Sequence, residues 1–181
     1  MTSLIFDIET DGLDPQVIHC IVTMDADTGE TRRYNHANEG NFYNGLKALQ
    51  EADVIIGHNI IGFDLVAIRK LYPDWTTGAE IKDTLIVSRL FWPHLRELDH
   101  QKHWGKDIEL TAGSHSLEAW GLRLGFKKWT EMTEDKSIFD KWSQELEDYC
   151  ARDVGVTLRL WQEILAEDPT EASVALEHKF T

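Results

Sequence analysis

Cysteine, proline and positive charge are all scarce in this sequence. Two cysteines among 181 residues, Cys20 and Cys150, are too few for a disulfide scaffold. They stand far apart, inside apolar patterns and outside metal-type spacings, so they read as reduced core thiols of a reducing, cytoplasmic compartment. No apolar run approaches the roughly 20 residues of a membrane span. The N-terminus, Met1 to Asp7, has neither the basic start nor the apolar stretch of a secretory signal. Lys and Arg number 18 against 32 Asp and Glu, for a formal charge of −14. An acidic field of that size opposes tight, independent binding to phosphate backbones. A nucleic-acid function would need metal ions at the site or a basic neighbouring domain. Repeats, low-complexity tracts and charge blocks are also missing, so residues 1–181 are read as one domain, long enough to bury a real core.

What is there alternates between strand and helix. Ser3 to Ile8 reads as a buried strand followed by the turn-rich Thr10-Asp-Gly-Leu-Asp-Pro15. Val17 to Met24 and Thr31 to Tyr34 read as two further strands joined by a hairpin turn at Asp27-Thr-Gly-Glu30. Phe42 to Ala52 is helical, with Phe42, Leu46 and Leu49 on one face. Val54 to Gly57 is a short buried strand, Asp64 to Leu71 a helix stopped by Pro73, Ile81 to Asp83 a strand, and Leu85 to Trp92 a helix ending at Pro93. Residues 96–113 are polar and aperiodic, as expected of a long surface loop or a flexible insertion. Leu117 to Leu124 is a helix closed by Gly125, and Gln144 to Glu167 a long helix with Ser143 as N-cap. The expected fold class is α/β: three leading strands, then alternating β and α, in a mixed sheet flanked by helices.

Four acids stand out against this frame. In an extended Leu4-Ile-Phe-Asp-Ile-Glu-Thr10, the period of two puts Asp7 and Glu9 on one side of a hydrophobic strand end. There they repel each other unless a cation is shared; two incidental acids of a surface turn is an equal reading of that segment alone. In the last helix, Leu146, Tyr149, Cys150, Asp153, Thr157, Leu160, Trp161 and Ile164 form one stripe that is nearly all apolar. Asp153 interrupts it, and a carboxylate on a core-facing stripe calls for a metal, a base partner or a raised pKa. Tyr149 lies one turn earlier on the same face. The third segment, Val54 to Asp64, breaks at Gly57, passes His58 and Asn59, and delivers Asp64 to the first turn of a helix. Alone, Asp64 reads as an acid favoured by the helix dipole and Asn59 as a turn residue. Together, four carboxylates from three segments form an oxygen donor set suited to Mg²⁺ or Mn²⁺ rather than Zn²⁺. Two such ions roughly 4 Å apart are the apparatus of phosphodiester cleavage.

Phe6-Asp-Ile-Glu-Thr10, His58-Asn-Ile-Ile-Gly-Phe-Asp64 and Tyr149-Cys-Ala-Arg-Asp153 resemble the three motifs of the DEDD 3′→5′ exonuclease superfamily, in its tyrosine subgroup. Lys82 to Leu90 and Gly113 to Gly125 extend the resemblance to the proofreading domain of phage family A DNA polymerases. Ala172 to Phe180 resembles the start of the helix leading into the polymerase domain, which suggests an excised domain or a standalone relative.

The resemblance implies an RNase H-like sheet, three antiparallel strands followed by parallel ones, and two divalent metal ions, Mg²⁺ with Mn²⁺ substituting. Asp7 would bridge both ions, Glu9 and Asp153 would hold the nucleophile-side ion, and Asp64 the second, through water. Tyr149 would orient the attacking water. Thr10 and Asn59 would contact the terminal nucleotide, Leu13 would wedge against a base and Phe63 would offer stacking area. The implied substrate is a single-stranded or frayed DNA 3′ end in a phage-infected bacterium, beside a polymerase domain. An RNA exonuclease and an inactive partner-binding module are the alternatives.

Other residues are read as bland. His100 and His103 have no second pair at zinc-finger spacing. His58 and His115 pack or cap, Asp83 supports the site from behind, and the seven tryptophans are mostly core, with Trp104 and Trp129 in polar surroundings. Lys102, Lys106, Lys127 and Lys128 are solvated.

Overall fold

Apolar residues on both faces of the first strand dictate a sheet covered on both sides. The structure, a computed structural model, describes residues 1–37, 41–101, 111–126 and 136–167. Strands β1 (Ser3–Thr10), β2 (Ile18–Asp25) and β3 (Thr31–Asn35) form an antiparallel meander. Helix α1 (Asn41–Glu51) leads to β4 (Val54–Gly57), α2 (Asp64–Leu71), β5 (Glu80–Asp83) and α3 (Thr84–Phe91). The order across the sheet is β3-β2-β1-β4-β5, with β4 parallel to both β1 and β5. This is the expected mixed sheet, three antiparallel strands followed by parallel ones.

Each sheet face has its own core. On one, Phe6, Ile8 and Ile21 pack with Phe42, Leu46 and Leu49 of α1 and Leu65 and Ile68 of α2. On the other, Ile5, Cys20, Val22 and Ile56 meet Cys150 and Val154 of the last helix, α6 (Gln144–Ala166). The Ser143 hydroxyl caps α6 by accepting from the Leu146 N–H at 3.1 Å. The outer side of α6, through Val156, Leu160 and Ile164, carries a third layer with Val87 of α3, Leu95 of α4 (Leu95–Gln101) and Trp120 of α5 (Leu117–Arg123).

Two features differ from the sequence expectation. Strand β1 runs two residues past Ile8, because Glu9 still pairs with Cys20 and Thr10 with Ile18 across a bulge in which β2 carries the extra residue His19. Glu9 is therefore held in the sheet rather than in a turn. Residues 96–101, expected as loop or insertion, are helical. Leu95 is buried in α4, and so is Asp99, whose carboxylate receives a two-pronged hydrogen bond from Arg123 of α5 at 2.8 and 2.7 Å. Only Leu95 and Leu98 stand at helical spacing and the next inward residue is the acid Asp99, so the apolar period is too short to reveal this helix. Lys102, His103, Trp104, Lys106, Lys127, Lys128, Trp129 and the expected helix at 170–181 lie outside the described residues. No helix among the described residues is long and apolar enough to cross a membrane.

Candidate active site

The site lies where β1 outruns β4. Pairing between these strands ends at Ile5 with Ile56, while β1 continues to Thr10. The exposed β1 edge is taken over by Asp64, whose carboxylate accepts from the Ile8 N–H and from its own backbone N–H. The turn that carries Asp64 there depends on two glycines. A Cβ on Gly57 would sit 2.2 Å from Ile60 Cγ2, and one on Gly62 would sit 2.6 Å from Asn59 Oδ1. Asn59 itself adopts φ +63°, a left-handed conformation that asparagine tolerates well.

Asp83 locks this turn from below. Its buried carboxylate accepts from Asn59 N–H at 2.9 Å, Ile61 N–H at 3.0 Å and Leu85 N–H at 3.0 Å, so one side chain both caps α3 and pins the segment before Asp64. This is the supporting place expected for Asp83. His58 and His115 are supports too: His58 Nδ1 lies 2.9 Å from Thr84 Oγ1 and His115 Nδ1 lies 3.0 Å from Ser88 Oγ. Burial lowers the His58 pKa to about 4, so the ring is neutral.

Asp7 and Glu9 point from β1 to the α6 side, as the period of two requires. Glu9 is 8% exposed. Burial pushes both carboxyls well above the usual range. Asp64, Glu9 and Asp153 add to the rise at Asp7, and Cys20, Asp153 and Asp64 to that at Glu9. Asp64 is raised to about 7 by burial, against its two N–H donors, with the charge of Asp83 adding to the rise. Asp153, on α6, is raised by burial to about 6, moderated by Arg152 and by a hydrogen bond from the Tyr149 hydroxyl. The four acids come from three separated segments and feel one another's charge.

Such a cluster fits a hard divalent cation. Within it Asp7, Glu9 and Cys150 have ligand atoms within 4.8 Å of one another. Burial drives the pKa of the Cys150 thiol far up, and it donates to Asp7 Oδ2 at 3.4 Å. Asp7 and Glu9, with Asp64 and Asp153 near enough for their charges to act on both, make the cluster mainly an oxygen donor set, which suits Mg²⁺ or Mn²⁺. Tyr149 is raised above its ordinary pKa by burial first and then by Asp153, Glu9 and Asp7, so its hydroxyl keeps its proton.

The residues expected to touch substrate are more dispersed. Thr10 is buried and its hydroxyl donates to the Gly12 carbonyl at 2.9 Å, while Asn59 is exposed and Phe63 half-buried. Leu13 is 93% exposed on the loop after β1. That loop is strapped to α2 by Lys70, which reaches Asp14 Oδ1 at 2.5 Å and the Pro15 carbonyl at 2.8 Å. Sequence reasoning missed Lys70, Cys150 and Arg152 as neighbours of the site. Only Cys150 had a signal, its place on the α6 stripe next to Tyr149.

Comparison with known proteins agrees with this architecture. Residues 4–165 match the RNase H superfamily. Two DNA-directed DNA polymerases, from Enterobacteria phage T3 and Escherichia phage T7, are 31% and 30% identical over 188 residues. The alignments cover 91% of this chain but 27% of each polymerase, so the chain spans about a quarter of the length of these relatives. A solved structure described as the apo form of the nuclease superposes with a TM-score of 0.64 at 18% identity, covering 97% of this chain and 79% of its own.

Proposed function

Because the chain belongs to the RNase H superfamily, we propose that it is a metal-dependent nuclease, and specifically a 3′→5′ DNA exonuclease that releases nucleoside 5′-monophosphates. The observation that carries this reading is the crowding of Asp7, Glu9, Asp64 and Asp153 at the end of β1. Burial raises all four carboxyls, and repulsion by neighbouring site acids adds to the rise at Asp7 and Glu9, a cost that bound divalent cations would offset. The similarity to two phage DNA polymerases supports DNA as substrate and a polymerase domain as partner.

The four carboxylates would hold two divalent ions. When bound, these supply the Lewis acidity that makes water nucleophilic near neutral pH and offset charge on the departing 3′ oxygen. The protein's own groups position the reactants. Tyr149, its proton held by burial and neighbouring acids, orients the attacking water rather than deprotonating it. Asn59, on its exposed turn, and Thr10 contact the terminal nucleotide. Phe63 stacks, and Leu13 wedges against a base while Lys70 steadies its loop. None of these groups reads base identity, which suits a domain that removes any terminal nucleotide. The acidic surface fits DNA ends delivered by an adjoining polymerase.

The test is Mg²⁺ or Mn²⁺ titration with 3′-labelled and 5′-labelled DNA and RNA strands. Stepwise shortening of DNA from the 3′ end, abolished by EDTA and by Asp7→Ala, is expected. Activity surviving Asp7→Ala would defeat the mechanism, and equal or preferred degradation of RNA would defeat the choice of substrate.

A further inference from the structure

Arg152 precedes Asp153 on α6 and turns its side chain back to the site. Its Nη1 lies 3.1 Å from Asp153 Oδ1, with the two side chains only 16% and 15% exposed. The other arm of the guanidinium lies against α5, where a Cβ on Gly121 would stand 3.6 Å from Nη2. Glu118, also on α5, is close enough for its charge to act on Asp153. Among the described residues, no Lys or Arg forms an ion pair with Asp7, Glu9 or Asp64. Asp153 is the one acid of the four paired, among the described residues, with a Lys or Arg.

That contact has a thermodynamic consequence for metal binding. A guanidinium keeps its charge at any working pH. With the Tyr149 hydroxyl also bonded to Asp153, the carboxylate is oriented before any ion arrives. It keeps lone pairs for a metal, but an ion that takes Asp153 as a ligand meets the standing positive charge of the guanidinium beside it.

We infer that Arg152 is a positioning residue that acts as the built-in counter-cation of Asp153, competing with the divalent ion and setting how much metal the site requires. The inference rests on the metal reading above. The pair is partly shielded, so the competition is worth about a fivefold change in metal affinity.

The experiment reads Mn²⁺ binding without DNA, by the electron paramagnetic resonance signal of free Mn²⁺, for the intact chain and for Arg152→Gln and Arg152→Lys. Affinity should rise in the order wild type, Arg152→Lys, Arg152→Gln, because lysine keeps the charge but loses the planar fork. Arg152→Gln should also melt lower than wild type in EDTA and gain more on saturation with Mn²⁺. If Arg152→Gln is too unstable to measure, Arg152→Lys alone decides, by binding Mn²⁺ more tightly than wild type. Equal or weaker binding by the variants would overturn the role of Arg152 and leave the metal reading intact. A wild-type protein that binds no Mn²⁺ would overturn both.

Discussion

The backbone N–H of Ile8 donates to the carboxylate of Asp64 at the point where β1 has outrun its partner β4. A helix acid thereby completes the strand edge, and Asp64 is fixed beside the pair Asp7 and Glu9. The site is thus assembled by a mismatch in strand length, and its cost is electrostatic.

That cost should be visible on removing one charge. Asp7→Asn keeps the shape and can still accept from Cys150. At pH 8 in EDTA it should melt higher than wild type, by roughly 2–4 °C for each kcal/mol of relieved repulsion. The same change should lower nuclease activity at least about 10³-fold, the size of losing several kcal/mol of charge stabilisation. A lower melting temperature in EDTA would contradict the crowding of acids.

The pH dependence follows in sign from the raised carboxyls. Asp64, at about 7, and Asp153, at about 6, sit above their unfolded values. Their protonated forms stabilise the metal-free fold fully below about pH 4, and this contribution is lost as pH rises through 6 to 7. Melting in EDTA should fall over that window, on the order of 5 °C. Saturating Mg²⁺ should reverse the trend, because ligation requires the deprotonated acids. Melting curves from pH 4 to 8, with and without Mg²⁺, check both slopes.

Tyr149→Phe removes the hydroxyl bonded to Asp153 while leaving the ring. Turnover should drop about 10- to 100-fold with the metal dependence retained, since orientation of water is lost but every carboxylate is kept. A change in Mg²⁺ requirement with unaltered turnover would assign the hydroxyl to metal binding instead.

Asp83→Asn tests the support beneath Asp64. An amide nitrogen cannot accept from an N–H, so at least one of the three backbone donors loses its partner, at about 1–3 kcal/mol. Melting should fall, and Asp83→Ala, which strands all three, should fall further. If Asp83→Ala melts no lower than Asp83→Asn, the carboxylate is not what pins the turn.

Much of this was legible in the sequence. Apolar alternation and helical spacing located every described strand and five of the six described α-helices, with ends off by a residue or two, but not the 3-10 turn at Lys136–Phe139. The same patterns put Asp7 with Glu9 on one strand face and Tyr149 with Asp153 on the α6 stripe; reading them with Asp64 as one site came from the four acids taken together and from the family resemblance. Asp64 alone read as a dipole-favoured helix acid, and only the Ile8 N–H and the β1 edge give it another duty. Helix α4 escaped because its buried anchor, Asp99, is polar and its partner Arg123 lies 24 residues away. Arg152 escaped likewise, since it stands off the apolar stripe. Periodicity reports which residues leave water, and so the sequence by itself determined the layers and which acids stand among apolar neighbours. Which charge faces which is set by the long-range pairing of strands and helices, and only the tertiary structure decided it.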